Sequence, residues 1–229
     1  MSDSLSVARA AIRSLTFSID VAVFTPRGNE LAVLLVSSSG PRARNRSVLP
    51  SDGLRVDESL DTAAARIARD ALGVVPAFLE QSRAHGGARR AAGLSQVAIA
   101  YFGLTPEASA PRRNAAWVGL SNLAPLPSRM KEEIDVALAT LRGHMDRLPI
   151  AFRFLPPTFT LSDLQAVYEL LLGRRLHKAS FRRSLHAATL VEATDEWRSE
   201  GRGRPAQLFR YAPPRRRRQR HGVRFDHLG

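Results

Sequence analysis

The chain has 229 residues, 44% hydrophobic and 24% charged, enough to bury a core in one large domain or two modest ones. It has no cysteine, which excludes disulfides, thiolate zinc sites and a cysteine nucleophile, and no apolar run approaches the roughly 20 residues that span a bilayer. A net charge of +13 and a pI near 11.5 point to a polyanionic partner, most often nucleic acid.

In chain order, Arg9 and Arg13 interrupt any signal-peptide h-region, so a cytoplasmic location without membrane attachment is expected. Phe17 to Phe24 alternates apolar residues and reads as a strand; Pro26-Arg27-Gly28-Asn29 turns it, and Leu31 to Val36 returns as a hairpin. Ser37 to Ser47 is polar and reads as a loop. Ser59 caps a helix through Leu72, with Ala64, Ile67, Ala68, Ala71 and Leu72 as its buried stripe and Gly73 as its left-handed terminator. The stretch from Asp52 to Val74 resembles the box of the Nudix hydrolases, G-x5-E-x7-R-E-U-x-E-E-x-G-U with U a bulky aliphatic. Glu58, Arg66, Gly73 and Val74 fall in register with it. Ile67 stands where the first metal-binding glutamate belongs, Asp70 replaces the next, Ala71 the last, and Asp52 occupies the opening glycine position. A hard dication needs several converging oxygens, and Ile67 and Ala71 supply none. The resemblance therefore implies a Nudix fold kept for something other than catalysis, with no catalytic or metal-binding residues. Glu58 and Arg66 either form an ion pair bracing the loop on the helix or, with Arg46 and Asp70, touch a ligand. Arg42, Arg44 and Arg46 either meet a phosphate or form an exposed basic loop.

Arg83 to Gly93, with three glycines and three arginines, reads as a mobile loop; Ser95 to Leu104 is a strand and Trp117 to Leu120 a short one. Met130 to Met145 is a helix with Ile134, Leu138, Leu141 and Met145 on one face. Leu148 to Pro157 reads as a linker because Pro156-Pro157 cannot continue a helix. A boundary near residue 150 separates a first domain, 1–150, from a second, 151–213.

The second part carries the charge: residues 151–229 hold 16 Lys+Arg against 7 Asp+Glu, whereas 1–150 hold 18 against 14. Thr160 opens a helix with Asp163 at the capping-box position, and Gly173 closes it. A second helix over Lys178 to Ala188 buries Phe181, Leu185 and Ala188 and leaves Ser180, Arg182, Arg183 and His186 on its surface. Two short strands, Thr189 to Ala193 and Gln207 to Tyr211, flank a glycine-containing loop that frees Arg202 and Arg204. Helix, basic helix and basic-tipped hairpin follow the order of a winged helix-turn-helix, whose second helix fits the major groove. The candidate DNA contacts are Thr160, Lys178, Ser180, Arg182, Arg183, His186, Arg202 and Arg204; the alternative for Arg182-Arg183 is a solvated helix face. Residues 214–229, with the Arg215–Arg218 run, read as a disordered basic tail that adds affinity without selectivity. His85, His144, His177, His186, His221 and His227 show no i, i+4 ligand pair and have no nucleophile beside them.

Over residues 15–212 the chain resembles the Nudix-related transcriptional regulators of NAD metabolism (the NrtR and NadQ types). The resemblance rests on Leu155-Pro156-Pro157-Thr158-Phe159-Thr160-Leu161-Ser162-Asp163-Leu164-Gln165, on the Phe181-Arg182-Arg183 helix and on Gly203-Arg204-Pro205-Ala206. It implies an α/β (α+β) Nudix-like sandwich followed by a winged helix, acting as a homodimer on double-stranded palindromic operator DNA of NAD synthesis or salvage genes. No cofactor is required; a regulatory adenine nucleotide (ADP-ribose, NAD or ATP) is expected. The rival expectations are a Nudix hydrolase of nucleoside diphosphate derivatives with an atypical metal site, and a basic RNA-associated protein.

Overall fold

The computed structural model describes residues 15–38, 46–90, 94–106, 110–145, 148–199 and 204–213. The N-terminal arginines, Arg42, Arg44, Arg202, His221, His227 and the arginine-rich tail lie outside the described residues. Strands β1 (Leu15–Arg27) and β2 (Glu30–Ser37) form the expected hairpin. They join β3 (Ser47–Val48), β4 (Ser51–Gly53), β5 (Phe78–Arg90), β6 (Leu94–Leu104) and β7 (Ala115–Gly119) in one mixed sheet. Its main order is β3-β2-β1-β6-β5, with β4 beside β1 and β7 beside β2; β1 and β6 run parallel and the other pairs antiparallel.

The two-residue period of the strands decides which helix each side chain meets. Ile19, Val21, Val23, Leu34, Ile99 and Tyr101 face helix α1 (Leu60–Leu72), which lays Ala63, Ala64, Ile67, Ala68, Ala71 and Leu72 on them. Ala22, Phe24, Leu31, Val33, Leu35, Phe102 and Leu104 face the other way, toward Met130, Ile134, Ala137 and Leu141 of helix α2 (Ser128–His144). The result is a sheet sandwiched between helices. Helix α1 starts and stops where its sequence directs. The Ser59 side chain accepts a hydrogen bond from the Thr62 N–H, and Gly73 sits at φ +90°, which L side chains rarely adopt.

Two segments differ from the loop and linker expected of them. Arg83 to Arg90 belong to β5, paired along β6 with register shifts near Ser82 and Gly87. Glycine and arginine weaken a strand locally, but a neighbouring strand with unpaired backbone overrides that preference, and the two shifts absorb the irregularity. The expected linker is a packed segment: Ile150–Phe154 forms a 3-10 helix that buries Ile150, Ala151, Phe152 and Phe154. Prolines flank it and end helices, but the apolar residues between them have a surface to cover.

The second part contains β8 (Thr158–Phe159), α3 (Leu161–Leu172), α4 (Lys178–Ala187), β9 (Val191–Arg198) and β10 (Ala206–Tyr211). The small sheet runs β8-β10-β9, so the hairpin gains a third strand that sequence reasoning did not anticipate. Phe152 packs on Phe159 and Tyr211 at ring-centre distances of 5.6 and 4.7 Å. The apolar cluster that begins at Ala22 and Phe24 continues through Leu141, Ile150 and Phe154 into Leu164, Tyr168, Phe181 and Leu185. The two parts share one core. Among the described residues no helix is long and apolar enough to cross a membrane.

Candidate functional site

The box closes on itself. Arg66, only 7% exposed on α1, donates from Nε to Glu58 Oε1 at 2.8 Å and from one terminal nitrogen to Asp52 Oδ2 at 2.6 Å. Its other terminal nitrogen reaches Glu58 Oε2 and the Gly53 carbonyl, both at 3.0 Å. The planar guanidinium fork thus ties β4 and the preceding loop to α1. Hydrogen bonding from Arg66 holds the Glu58 carboxyl below its ordinary range. For Asp52, burial works the other way, but the Gly53 N–H and Arg66 prevail and its carboxyl is also lowered. The Glu58–Arg66 ion pair is therefore present, and Asp52, read from sequence only as a departure from the box, is its third member. Asp70 is exposed on α1, and Arg46 is exposed at the start of β3. The structure joins Glu58 to Arg66 but gives neither a contact with Asp70 or Arg46.

Ile67 and Ala71, at the glutamate positions, are buried in the core under α1. The donor set does not suit a magnesium ion: two positions are apolar and Glu58 is occupied by Arg66. Among the described residues no three His, Asp or Glu side chains are placed to hold a metal.

On the opposite face of the sheet lies a buried acid pair that sequence reasoning did not single out. Asp20 (0% exposed) on β1 and Glu133 (2%) on α2 share one partly exposed cation, Arg129, at 3.0 and 3.4 Å. His85 Nε2 on β5 lies 3.8 Å from Glu133. Burial, and then the neighbouring Asp20, raise the Glu133 carboxyl to about 7. The only sequence signal was that Asp20 interrupts an apolar strand on its α2-facing side.

The winged part places its basic residues as its periodicity requires. Phe181 and Leu185 point inward from α4, while Lys178, Arg183 and His186 are exposed and Ser180 is half-buried beside His177 Nδ1 at 3.2 Å. Thr160 is not a free surface hydroxyl: it is buried, and it caps α3 in a reciprocal pair with Asp163. The Asp163 carboxylate also takes two hydrogen bonds, 2.8 and 2.9 Å, from Arg198 of β9. That pair staples the wing to α3, and sequence reasoning missed it because 35 residues separate the partners. Arg204 is exposed at the foot of β10. Arg182 is half-buried and lines a cleft between α3, α4 and β10, where its Nε is buried without a hydrogen-bond partner among the described residues. Leaving such a donor unmatched costs about 1–3 kcal/mol, more for a charged group.

Residues 151–211 match the model described as the NrtR DNA-binding winged helix domain. The chain is 29% identical over 204 residues to the "ADPR responsive transcriptional repressor NtrR" of Acinetobacter baylyi, covering 85% of this chain and 81% of that one. It superposes on the crystal structure of Shewanella oneidensis NrtR with a TM-score of 0.74 and 30% identity, over 86% of this chain and 94% of that one. The same protein complexed with a 27mer DNA gives 0.74 and 29%, over 86% and 93%. Its NUDIX domain complexed with ADP ribose gives 0.50 and 25%, over 62% and 99%. A Nudix-like sandwich sharing its core with a winged helix defines the class of Nudix-related DNA-binding regulators. Within that class, the chain belongs to the NrtR family.

Proposed function

We propose that this protein is a transcriptional repressor of NAD synthesis or salvage genes, relieved or engaged by ADP-ribose or a related adenine nucleotide. The observation that carries the reading is the winged helix. Lys178, Arg183 and His186 stand exposed on a helix anchored by Phe181 and Leu185, beside a wing held in place by Arg198 and Asp163. That arrangement offers side chains to a major groove. The nucleotide assignment draws on the relatives: one is named for its response to ADPR and the other holds ADP ribose in its NUDIX domain. The residues up to about 150 form the sensor, with the exposed Arg46 and Asp70 as candidate ligand contacts, while Glu58 and Arg66 are taken up by each other and brace the loop. Residues 151–213 form the DNA reader, and 214–229 add non-selective affinity. The functional unit is a homodimer on a palindromic duplex, and the sensor does not hydrolyse its ligand, because Ile67 and Ala71 offer no oxygen to a metal.

The test is a gel shift of promoter fragments adjoining the gene, titrated with ADP-ribose, NAD and ATP. Retention of one fragment, altered by one nucleotide, supports the reading; no retention of any duplex overturns it. In parallel, purified protein with Mg²⁺ should release no ribose phosphate from ADP-ribose above the no-enzyme rate. Sustained turnover would restore the hydrolase.

A further inference from the structure

The geometry points to a phosphate clamp in the cleft beside the recognition helix, with Arg182 gripping the DNA backbone and Arg183 left to read bases. This rests on the DNA-binding function proposed above and assigns roles within it. The cleft, about 230 Å³, is lined by the polar Thr160, Ser162, Arg182 and Gln207 and by the apolar Leu161 and Phe209. Its guanidinium, hydroxyl and amide groups can donate to a small anionic group. Arg182 lines the cleft from α4, half-buried, and its buried Nε–H has no acceptor among the described residues, so none of them holds that nitrogen. The Thr160 hydroxyl accepts from the Asp163 N–H, which leaves its own proton free to donate. Asp163, the nearby carboxylate, is neutralised by two hydrogen bonds from Arg198, so it does not repel an incoming anion. The chemistry on offer is a half-buried guanidinium with hydroxyl and amide donors, which matches one phosphodiester oxygen pair and carries no base code. Arg183, one residue on, is fully outside the cleft and exposed. Adjacent arginines, turned about 100° apart by the helix, thus serve different parts of the duplex.

The experiment uses the full chain and a promoter duplex that it retains, with a scrambled duplex of equal length as reference. Arg182→Gln should weaken both duplexes by the same factor, about tenfold, and flatten the log-affinity against log-salt slope by about 1 per half-site. Arg183→Ala should instead shrink the ratio between the two duplexes. Neutral methylphosphonates placed singly along the promoter should reveal one position per half-site that weakens the wild type. That position should have no further effect in Arg182→Gln, an outcome that a misfolded variant cannot imitate. Loss of the promoter-to-scrambled ratio in Arg182→Gln, or full additivity with every methylphosphonate, overturns the clamp while leaving DNA binding in place. Failure of the wild type to retain any duplex removes both.

Discussion

Arg66 is a strut at the centre of the box. In the register of the box it is the one charged helix residue that survives with its neighbours replaced, and three separate groups now consume its nitrogens. Arg66→Leu should therefore lower the thermal midpoint by several degrees, because Glu58 and Asp52 would lose their cation while the loop lost its anchor. Arg66→Lys should rescue this only in part, since an ammonium cannot span both carboxylates and a carbonyl. An unchanged midpoint in differential scanning calorimetry would deny the strut. Glu133 makes an opposite kind of prediction. Its folded pKa, about 7, lies above that of an unfolded glutamate, so the folded chain binds the extra proton between roughly pH 4.5 and 7. Stability from this group is thus full below the unfolded pKa and is lost as pH rises through 7. Urea midpoints should fall across that window, and Glu133→Gln should flatten the fall. A wild-type curve that rose with pH there, with the variant parallel to it, would contradict the assignment.

At the scale of elements, the staple between β9 and α3 is the feature to break. Arg198→Ala should loosen the wing and weaken binding to every duplex about equally, with helix content unchanged by circular dichroism. Asp163→Asn should cost more in stability, about 1 kcal/mol from the impaired cap, because the same carboxylate serves Thr160 and Arg198. Equal stability of the two variants would show that the cap does not depend on the charge. Elements whose signals are local were legible in the sequence: α1 between Ser59 and Gly73, α3 between Thr160 and Gly173, and the Phe181–Leu185 stripe of α4. Those that depend on a distant partner were not. Strand β5 exists because β6 lies beside it, β8 because β10 does, and the Ile150–Phe154 segment because the core has a face to fill. The candidate site divides the same way. Exposed Arg183 and His186 follow from helical periodicity, whereas the cleft around Arg182 needs β10, and the Asp20–Glu133 pair needs α2 folded against β1.

For the whole molecule, the continuous cluster from Phe24 through Phe154 to Leu185 predicts a single unfolding transition. Calorimetry on the full chain should give one peak whose van't Hoff and calorimetric enthalpies agree; two resolved peaks would mean that the halves melt separately. A fragment starting at residue 150 keeps Phe152 on Phe159 and Tyr211 but loses the Phe24, Ile134 and Leu141 side of the shared cluster, and each large apolar side chain uncovered there costs about 1.5–3 kcal/mol. The same continuity bears on how such a chain can be rebuilt. The winged helix is not an interchangeable cassette: a graft cut at the prolines would take the floor of its own fold away from the donor and leave the recipient with an open greasy seam. Chimeric biosensors made from this scaffold should instead move α2, the Ile150–Phe154 turn and the reader together. New ligand specificity is better sought by rewriting side chains within the sandwich than by swapping whole modules.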